Sequence, residues 1–176
     1  VKHESFERER RLVTWRWILD APPIPIFQKF GSFKGSVDRW HYYHWLAPST
    51  AIIDFGSAEA GRLNEARHSL DLTKAPVGPP GVGLQFFTCH FITPVDAGRC
   101  IDYWLSLKNF PTDEATTLQI AAGLRGAFDE DKVILEAIER AEKIERSWKP
   151  VTIAIDAAPR RMRQMVDRQI AAEKRA

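Results

Sequence analysis

Residues 84–107 read LQFFTCHFITPVDAGRCIDYWLSL, two apolar and aromatic runs joined by a short connection that contains Pro, Asp and Gly. Aromatic and β-branched residues favour extended backbone, and such a connection is typical of a β-hairpin. The second run alternates two sets of side chains, which are Ile101, Tyr103, Leu105 and Leu107 on one side and Asp102, Trp104 and Ser106 on the other. The stretch therefore predicts a pair of antiparallel strands.

The same strand-like composition extends upstream as far as Arg11. Three further runs are rich in aromatic and β-branched residues: LVTWRWIL (12–19), VDRWHYYHWL (37–46) and TAIIDFGSA (50–58). The first run ends at the prolines of DAPPIP (20–25), which cannot continue a central strand. Residues 66–83 contain so much Pro and Gly that we predict a long surface loop there.

After Pro111 the spacing of apolar residues becomes helical. Thr112 or Asp113 can cap residues 114–128, and the helical spacing continues over 130–148. A final helix is predicted over 160–175, with an apolar stripe of Met162, Met165, Val166 and Ile170. Strands followed by helices predict an α+β fold, in which helices cover an antiparallel sheet.

The overall composition is that of an ordinary globular domain, with 44% hydrophobic residues, 27% charged residues and a net charge of +2. This charge is too small to indicate a nucleic-acid or acidic-membrane partner. No apolar run reaches the ~18 residues of a membrane span, and no signal peptide opens the chain. The two cysteines are too few for a disulfide framework. We therefore expect a cytoplasmic protein.

Five histidines are candidates for site chemistry. A strand places His41 and His44 on opposite faces, so the two are not expected to share a metal ion. His3 and His68 lie in polar surroundings and are expected in solvent. His90 lies in an aromatic strand, where it is either a hydrogen-bonded core residue or a polar group that contacts a substrate in a pocket.

Acidic residues occur in unusual places. Asp54 and Asp102 interrupt apolar strands, so each must be exposed, paired or functional, because an unpaired buried carboxylate is costly. Asp129, Glu130 and Asp131 precede the apolar spacing of 133–148. Helix-dipole compensation explains acids at a helix start, but the spacing turns Glu130 or Asp131 inward, where an acid can bind a cation. The spacing alone leaves both open.

Four motifs follow one another along the chain: VDRW (37–40), HFITP (90–94), KNF (108–110) and FDEDKVILEAIE (128–139). This set resembles the C-terminal catalytic region of Rieske non-haem iron oxygenases, in the branch of vanillate O-demethylase and dicamba monooxygenase. The resemblance implies a helix-grip (START/Bet v 1-like) fold, a curved antiparallel sheet with C-terminal helices. It also implies that residues 1–176 form one catalytic-type domain of an oxidoreductase.

The resemblance also implies functional residues. The second acid of the family's Glu–Asp pair ligates a mononuclear Fe²⁺, which assigns Asp131 as a metal ligand. His90 corresponds to a pocket histidine that contacts substrate, and Asp54 corresponds to a pocket asparagine. An acid at this second position would repel a carboxylate-bearing ligand. Trp104 is expected in the wall of the same pocket.

Two departures from the family pattern concern its metal ligands. The chain lacks the paired C-x-H and C-x-x-H segments of the [2Fe–2S] cluster and the H-x-x-x-x-H segment that supplies two iron ligands. The resemblance therefore implies either a degenerate relative or the C-terminal half of a longer oxygenase whose N-terminal Rieske domain is absent. We expect the second, and we expect this half to be inactive alone.

The complete enzyme would use O₂ to hydroxylate or O-demethylate a small aromatic compound. Its electrons would come from NAD(P)H through a reductase or ferredoxin, and the family implies a homotrimer. The alternative hypothesis is a non-catalytic helix-grip domain that binds an apolar small molecule, and a third is a purely structural domain.

Overall fold

The computed structural model describes residues 1–8, 10–63, 83–144 and 151–175. Its strands are β1 (Lys2–Arg8), β2 (Arg11–Ala21), β3 (Val37–Leu46), β4 (Thr50–Glu59), β5 (Gly83–Asp96) and β6 (Arg99–Lys108). Its helices are α1 (Pro25–Phe30), α2 (Glu114–Ile144) and α3 (Ala157–Glu173), with a short 3₁₀ turn (Ala154–Asp156) before α3. The predicted α+β class, with strands first and helices last, is confirmed.

The six strands form one sheet in chain order, and each strand is antiparallel to the next. All five predicted strands are present, including the β5–β6 hairpin. The sequence reading missed β1, whose KHESFER sequence is too polar to show an apolar alternation. It also missed α1, which starts within the proline segment because Pro25 occupies a first-turn position where no backbone N–H is needed.

The register defines two faces, since residues directly opposite in antiparallel strands point to the same side. We call one side the Asp54 face; its members include Trp15, Trp17, Trp40, Tyr42, His44, Asp54 and Gln85. We call the other side the His90 face; its members include Arg16, Arg39, His41, Phe55, Phe86, Thr88, His90, Asp102, Trp104 and Ser106. Both faces carry buried side chains, so neither face lies wholly in solvent.

Each face has its own apolar packing. On the Asp54 face, a buried cluster of Trp40, Tyr42, Ala58 and Leu63 is joined by Trp15 and Trp17. On the His90 face, Phe27 of α1 packs with ring centroids 5.8 Å from both Phe55 and Phe86. The packing of Phe27, which is 1% exposed, therefore fixes α1 against this face.

Helix α2 is continuous over 31 residues, and Asp113 caps it by accepting a 2.7 Å hydrogen bond from the Thr116 backbone N–H. The Thr116 side chain, and then this backbone hydrogen bond, hold the pKa of the Asp113 carboxyl below its usual value. The acids at 129–131 therefore lie in the middle of a helix, and helix-dipole compensation, which acts only at the ends, does not explain them. Residues 111–153 form a compact unit distinct from 1–110 with 154–176.

Helix α3 packs beside the first two strands. Met165 is buried, Arg168 pairs with Glu7 of β1 at 2.6 Å, and Arg161 donates to the Ser5 carbonyl. Within the described ranges, neither long helix has the apolar stretch that crossing a bilayer requires. The predicted loop up to residue 82, including His68, lies outside the described residues.

Candidate functional site

His90 lies on β5 with its side chain almost fully buried, and its Nδ1 is 2.8 Å from Oδ2 of Asp102 on β6. A carboxylate only accepts hydrogen bonds, so Nδ1 carries the proton and donates it. This contact fixes both the ring orientation and the tautomer, and in the neutral ring it leaves Nε2 as an acceptor. The pair therefore presents one oriented acceptor nitrogen to the His90 face.

Trp104 of β6 lies directly opposite His90, so the indole and the imidazole share a face. The next pair along the hairpin is Thr88 and Ser106, whose hydroxyl oxygens are 3.0 Å apart. Polar pairs alternating with an aromatic ring are suited to orienting a small aromatic molecule, because the ring supplies contact area and the polar atoms supply direction.

Asp54 lies on the opposite face. Its side chain is 1% exposed, and Oδ1 accepts hydrogen bonds from Trp40 Nε1 at 3.0 Å and from Gln85 Nε2 at 2.6 Å. The sequence reading placed Asp54 and His90 in one pocket, but the register directs them to opposite sides of the sheet. A pocket on one face therefore cannot contain both, and any contact of Asp54 with a substrate stays a prediction.

Asp131 lies in the middle of α2 at an exposed position. Among the residues that the structure describes, no three His, Cys, Asp or Glu side chains come together as a metal site. The role of Asp131 as one iron ligand therefore stays a prediction.

The structure shows a cationic group on the His90 face that the sequence analysis did not identify. The guanidinium of Arg16 on β2 is 2.9 Å from His41 Nδ1 on β3, and Tyr43 OH is 3.1 Å from the same nitrogen. The pKa of His41 is lowered to about 4, chiefly by burial and then by the charges of Arg16 and Arg39. The residue types were visible in the sequence, but their proximity depends on the register.

The two histidines of β3 do point to opposite faces, as predicted. His44 is 1% exposed on the Asp54 face, opposite Val13 and Ile52. Burial and then the charge of Arg11 lower the pKa of His44 to about 4. Both rings are therefore neutral near pH 7.

The family profile described as the vanillate O-demethylase oxygenase C-terminal domain matches residues 2–172. The iron-sulfur subunit of the toluene-4-sulfonate monooxygenase system of Comamonas testosteroni is 32% identical over 168 residues, covering 93% of this chain and 44% of that protein. The vanillate O-demethylase oxygenase subunit of a Pseudomonas species is 28% identical over 175 residues, covering 94% and 49%.

Solved structures of dicamba monooxygenase share the fold. The apo form superposes with a TM-score of 0.76 at 19% identity, covering 98% of this chain and 51% of that one. The form with non-heme iron and dicamba gives a TM-score of 0.68 at 18% identity, covering 98% and 50%. The chain thus spans about half the length of the relatives that it matches.

Proposed function

Because this chain belongs to the family of vanillate O-demethylase oxygenase C-terminal domains, we propose that it is the catalytic-domain portion of a Rieske-type non-haem iron oxygenase. In this proposal the whole subunit uses O₂ to hydroxylate or O-demethylate a small aromatic compound. The family match over residues 2–172 is the observation that carries the proposal. Relatives named as monooxygenase and demethylase subunits support it.

The remainder of the subunit supplies what this chain lacks. Asp131 would provide one carboxylate ligand to a mononuclear Fe²⁺, and two histidines outside the chain would complete the site. The bound iron supplies O₂ activation, and a [2Fe–2S] cluster in the remainder receives electrons from NAD(P)H through a reductase or ferredoxin. The assembled enzyme would be a cytoplasmic homotrimer. The chain covers about half the length of these relatives, which supports assigning the cluster and the two histidine ligands to the other half.

The chain's own contribution is to orient the substrate on the His90 face. The His90 ring, held by Asp102 at 2.8 Å, would accept a hydrogen bond from a substrate hydroxyl at Nε2. Trp104, directly opposite, would pack against the aromatic ring of the substrate. Asp102 acts through His90 and is a positioning residue.

The test uses the full-length subunit loaded with iron and cluster, supplied with a reductase and NAD(P)H. Oxygen consumption and products are measured with hydroxylated, methoxylated and unsubstituted aromatic compounds. We expect Asp131→Ala to lose bound iron, measured by metal analysis, together with oxygen consumption. Asp129→Ala is the matched control, since it removes an exposed acid from the same helix and should leave both intact.

The substrate role of His90 is tested separately. His90→Asn should raise KM for hydroxylated aromatics by about tenfold, the size of one lost hydrogen bond at a desolvated site. Asp102→Asn should raise the same KM less. A loaded subunit that consumes no oxygen with any aromatic compound, yet binds apolar molecules, would instead support the non-catalytic binding domain.

A further inference from the structure

A cationic cluster lies on the His90 face near β2 and β3. It consists of Arg16, Arg39 and His41, which the register places on the same side of the sheet. Arg16 contacts the ring of His41, and the charge of Arg39 reaches that ring closely enough to lower its pKa. All three side chains are partly buried. The cluster therefore concentrates positive charge at a site with limited access to water.

This charge has no carboxylate partner in the described residues. Neither Arg16 nor Arg39 forms an ion pair with Asp or Glu there, and the Nε atom of each is buried without a hydrogen-bond acceptor. Buried charges are costly unless they are paired, so two neighbouring guanidinium groups without a counterion are unusual in a purely structural setting. An anion bound between them would remove this cost.

The neighbouring polar groups are oriented as donors. A guanidinium can only donate, so His41 Nδ1 accepts from Arg16, and the single proton of the neutral ring is on Nε2. Ser57 lies directly opposite Arg39 and is completely buried, with a hydroxyl that has no partner in the described residues. An oxyanion can accept from the guanidinium groups, from the imidazole N–H and from this hydroxyl.

Aromatic rings border the cluster on the same face. His41 meets Phe55 edge-on with ring centroids 6.3 Å apart, and Phe55 stacks on Phe86 at 5.4 Å. The ring of Tyr43 lies on the other side of His41, at 6.1 Å. A ligand held here by an anionic group would therefore place the rest of its structure against flat apolar surfaces.

We propose that Arg16, Arg39 and His41 form a binding site for the carboxylate or sulfonate group of a small aromatic acid, whose ring packs against Phe55 and Tyr43. Two guanidinium groups can bind such a group with paired, charge-assisted hydrogen bonds. The site is distinct from the His90–Asp102 pair, because four residues along the strand and two strands across the sheet separate them by about 16 Å. It rests on the proposed function only for the choice of aromatic acids.

The experiment measures binding to the full-length subunit by calorimetric titration with benzoate, benzenesulfonate, inorganic sulfate and the neutral benzamide. We expect both acids to bind at least about tenfold more tightly than the amide. Arg39→Gln and Arg16→Gln should each weaken binding of the acids by about tenfold or more, because each removes a charge-assisted contact. Arg39→Lys should weaken it less. Arg8→Gln, an exposed arginine on the Asp54 face, is the matched control and should bind normally.

Two outcomes would overturn the inference. Equal binding of benzoate and benzamide would show that charge is not recognised, and equal binding of benzoate and sulfate would show that the aromatic part is not recognised. Thermal unfolding without ligand adds a third measurement. If the charges are uncompensated, Arg39→Gln should not lower the melting temperature, whereas a large fall would show that an acid elsewhere in the subunit already pairs with it. Binding needs no turnover, so a lack of oxygen consumption would contradict the proposed function alone.

Discussion

On the Asp54 face of the sheet, a fully buried carboxylate accepts hydrogen bonds from Trp40 and Gln85, whereas on the His90 face two arginines flank His41 with no carboxylate partner among the residues that the structure describes. Both faces bury polar atoms against the same six strands. Around Asp54 the Trp40 and Gln85 N–H groups have their acceptor within the fold, whereas around His41 the donors exceed the acceptors. The difference separates polar groups that build the structure from polar groups available to a ligand.

The two acids that interrupt apolar strands illustrate the same distinction. Asp54 is 1% exposed and joins three strands through Trp40 and Gln85, so its role in the fold is evident from its contacts. The Asp102 side chain is 36% exposed and pairs with His90 at 2.8 Å. Removing the first acid should therefore affect folding, and removing the second should affect the site.

The largest expected effect is that of Asp54→Ala. The substitution leaves the Trp40 and Gln85 N–H groups buried without their acceptor, and we expect it to lower the free energy of unfolding by about 3–5 kcal/mol. Urea unfolding of the wild type and the variant measures the change. Asp54→Asn is the control, since its amide oxygen keeps one acceptor and should cost less. A loss below about 1 kcal/mol for the alanine variant would show that Asp54 is not needed for folding, and the proposed difference between the two faces would then fail.

Gly56→Ala tests the packing of the same face. A Cβ at Gly56 would lie 2.1 Å from the Trp40 ring and 2.5 Å from the Leu84 carbonyl oxygen, so the indole must move and its hydrogen bond to Asp54 is disturbed. We expect a loss of about 1–3 kcal/mol, typical of overpacking. Thermal unfolding measures it. Gly35→Ala, where a Cβ meets nothing within 4 Å, is the matched control and should be close to neutral.

The sequence was sufficient to predict most of the strands, because their apolar and aromatic runs are bounded by prolines and glycines. The β5–β6 hairpin and the Asp113 cap followed from local chemistry, and both are present. The strand β1 was not predictable in this way, since KHESFER has few apolar residues and is held by pairing with β2. Local composition therefore predicts strands that have an apolar run of their own.

The candidate site was less predictable, because sites depend on register. His90 and Trp104 belong to one hairpin, but a bulge between Pro94 and Asp96 shifts its register by one residue, so counting from the turn would not have placed them opposite each other. Asp54 is separated from His90 by the long stretch around 66–83, and residue counting cannot cross it. The same limit hid Arg16 and His41, which lie 25 residues apart in the chain. Helical spacing narrowed the acids to Glu130 and Asp131, and the family resemblance then selected Asp131.

The smallest expected effect concerns His44 and pH. Its pKa is lowered from 6.5 to about 4 in the folded chain, so protonation favours unfolding, and stability falls as the pH drops from 6.5 towards 4. At pH 5, replacing His44 with Leu should therefore stabilise the protein relative to the wild type by about 1–2 kcal/mol more than at pH 7. His41, on the other face, has a pKa lowered to a similar value, so a weaker pH dependence should persist in the variant. Urea unfolding at both pH values measures the change, and exposed His3→Leu is the control. An unchanged pH dependence in His44→Leu would show that burial and the charge of Arg11 do not depress the pKa of this ring, and that the pH dependence comes from other groups.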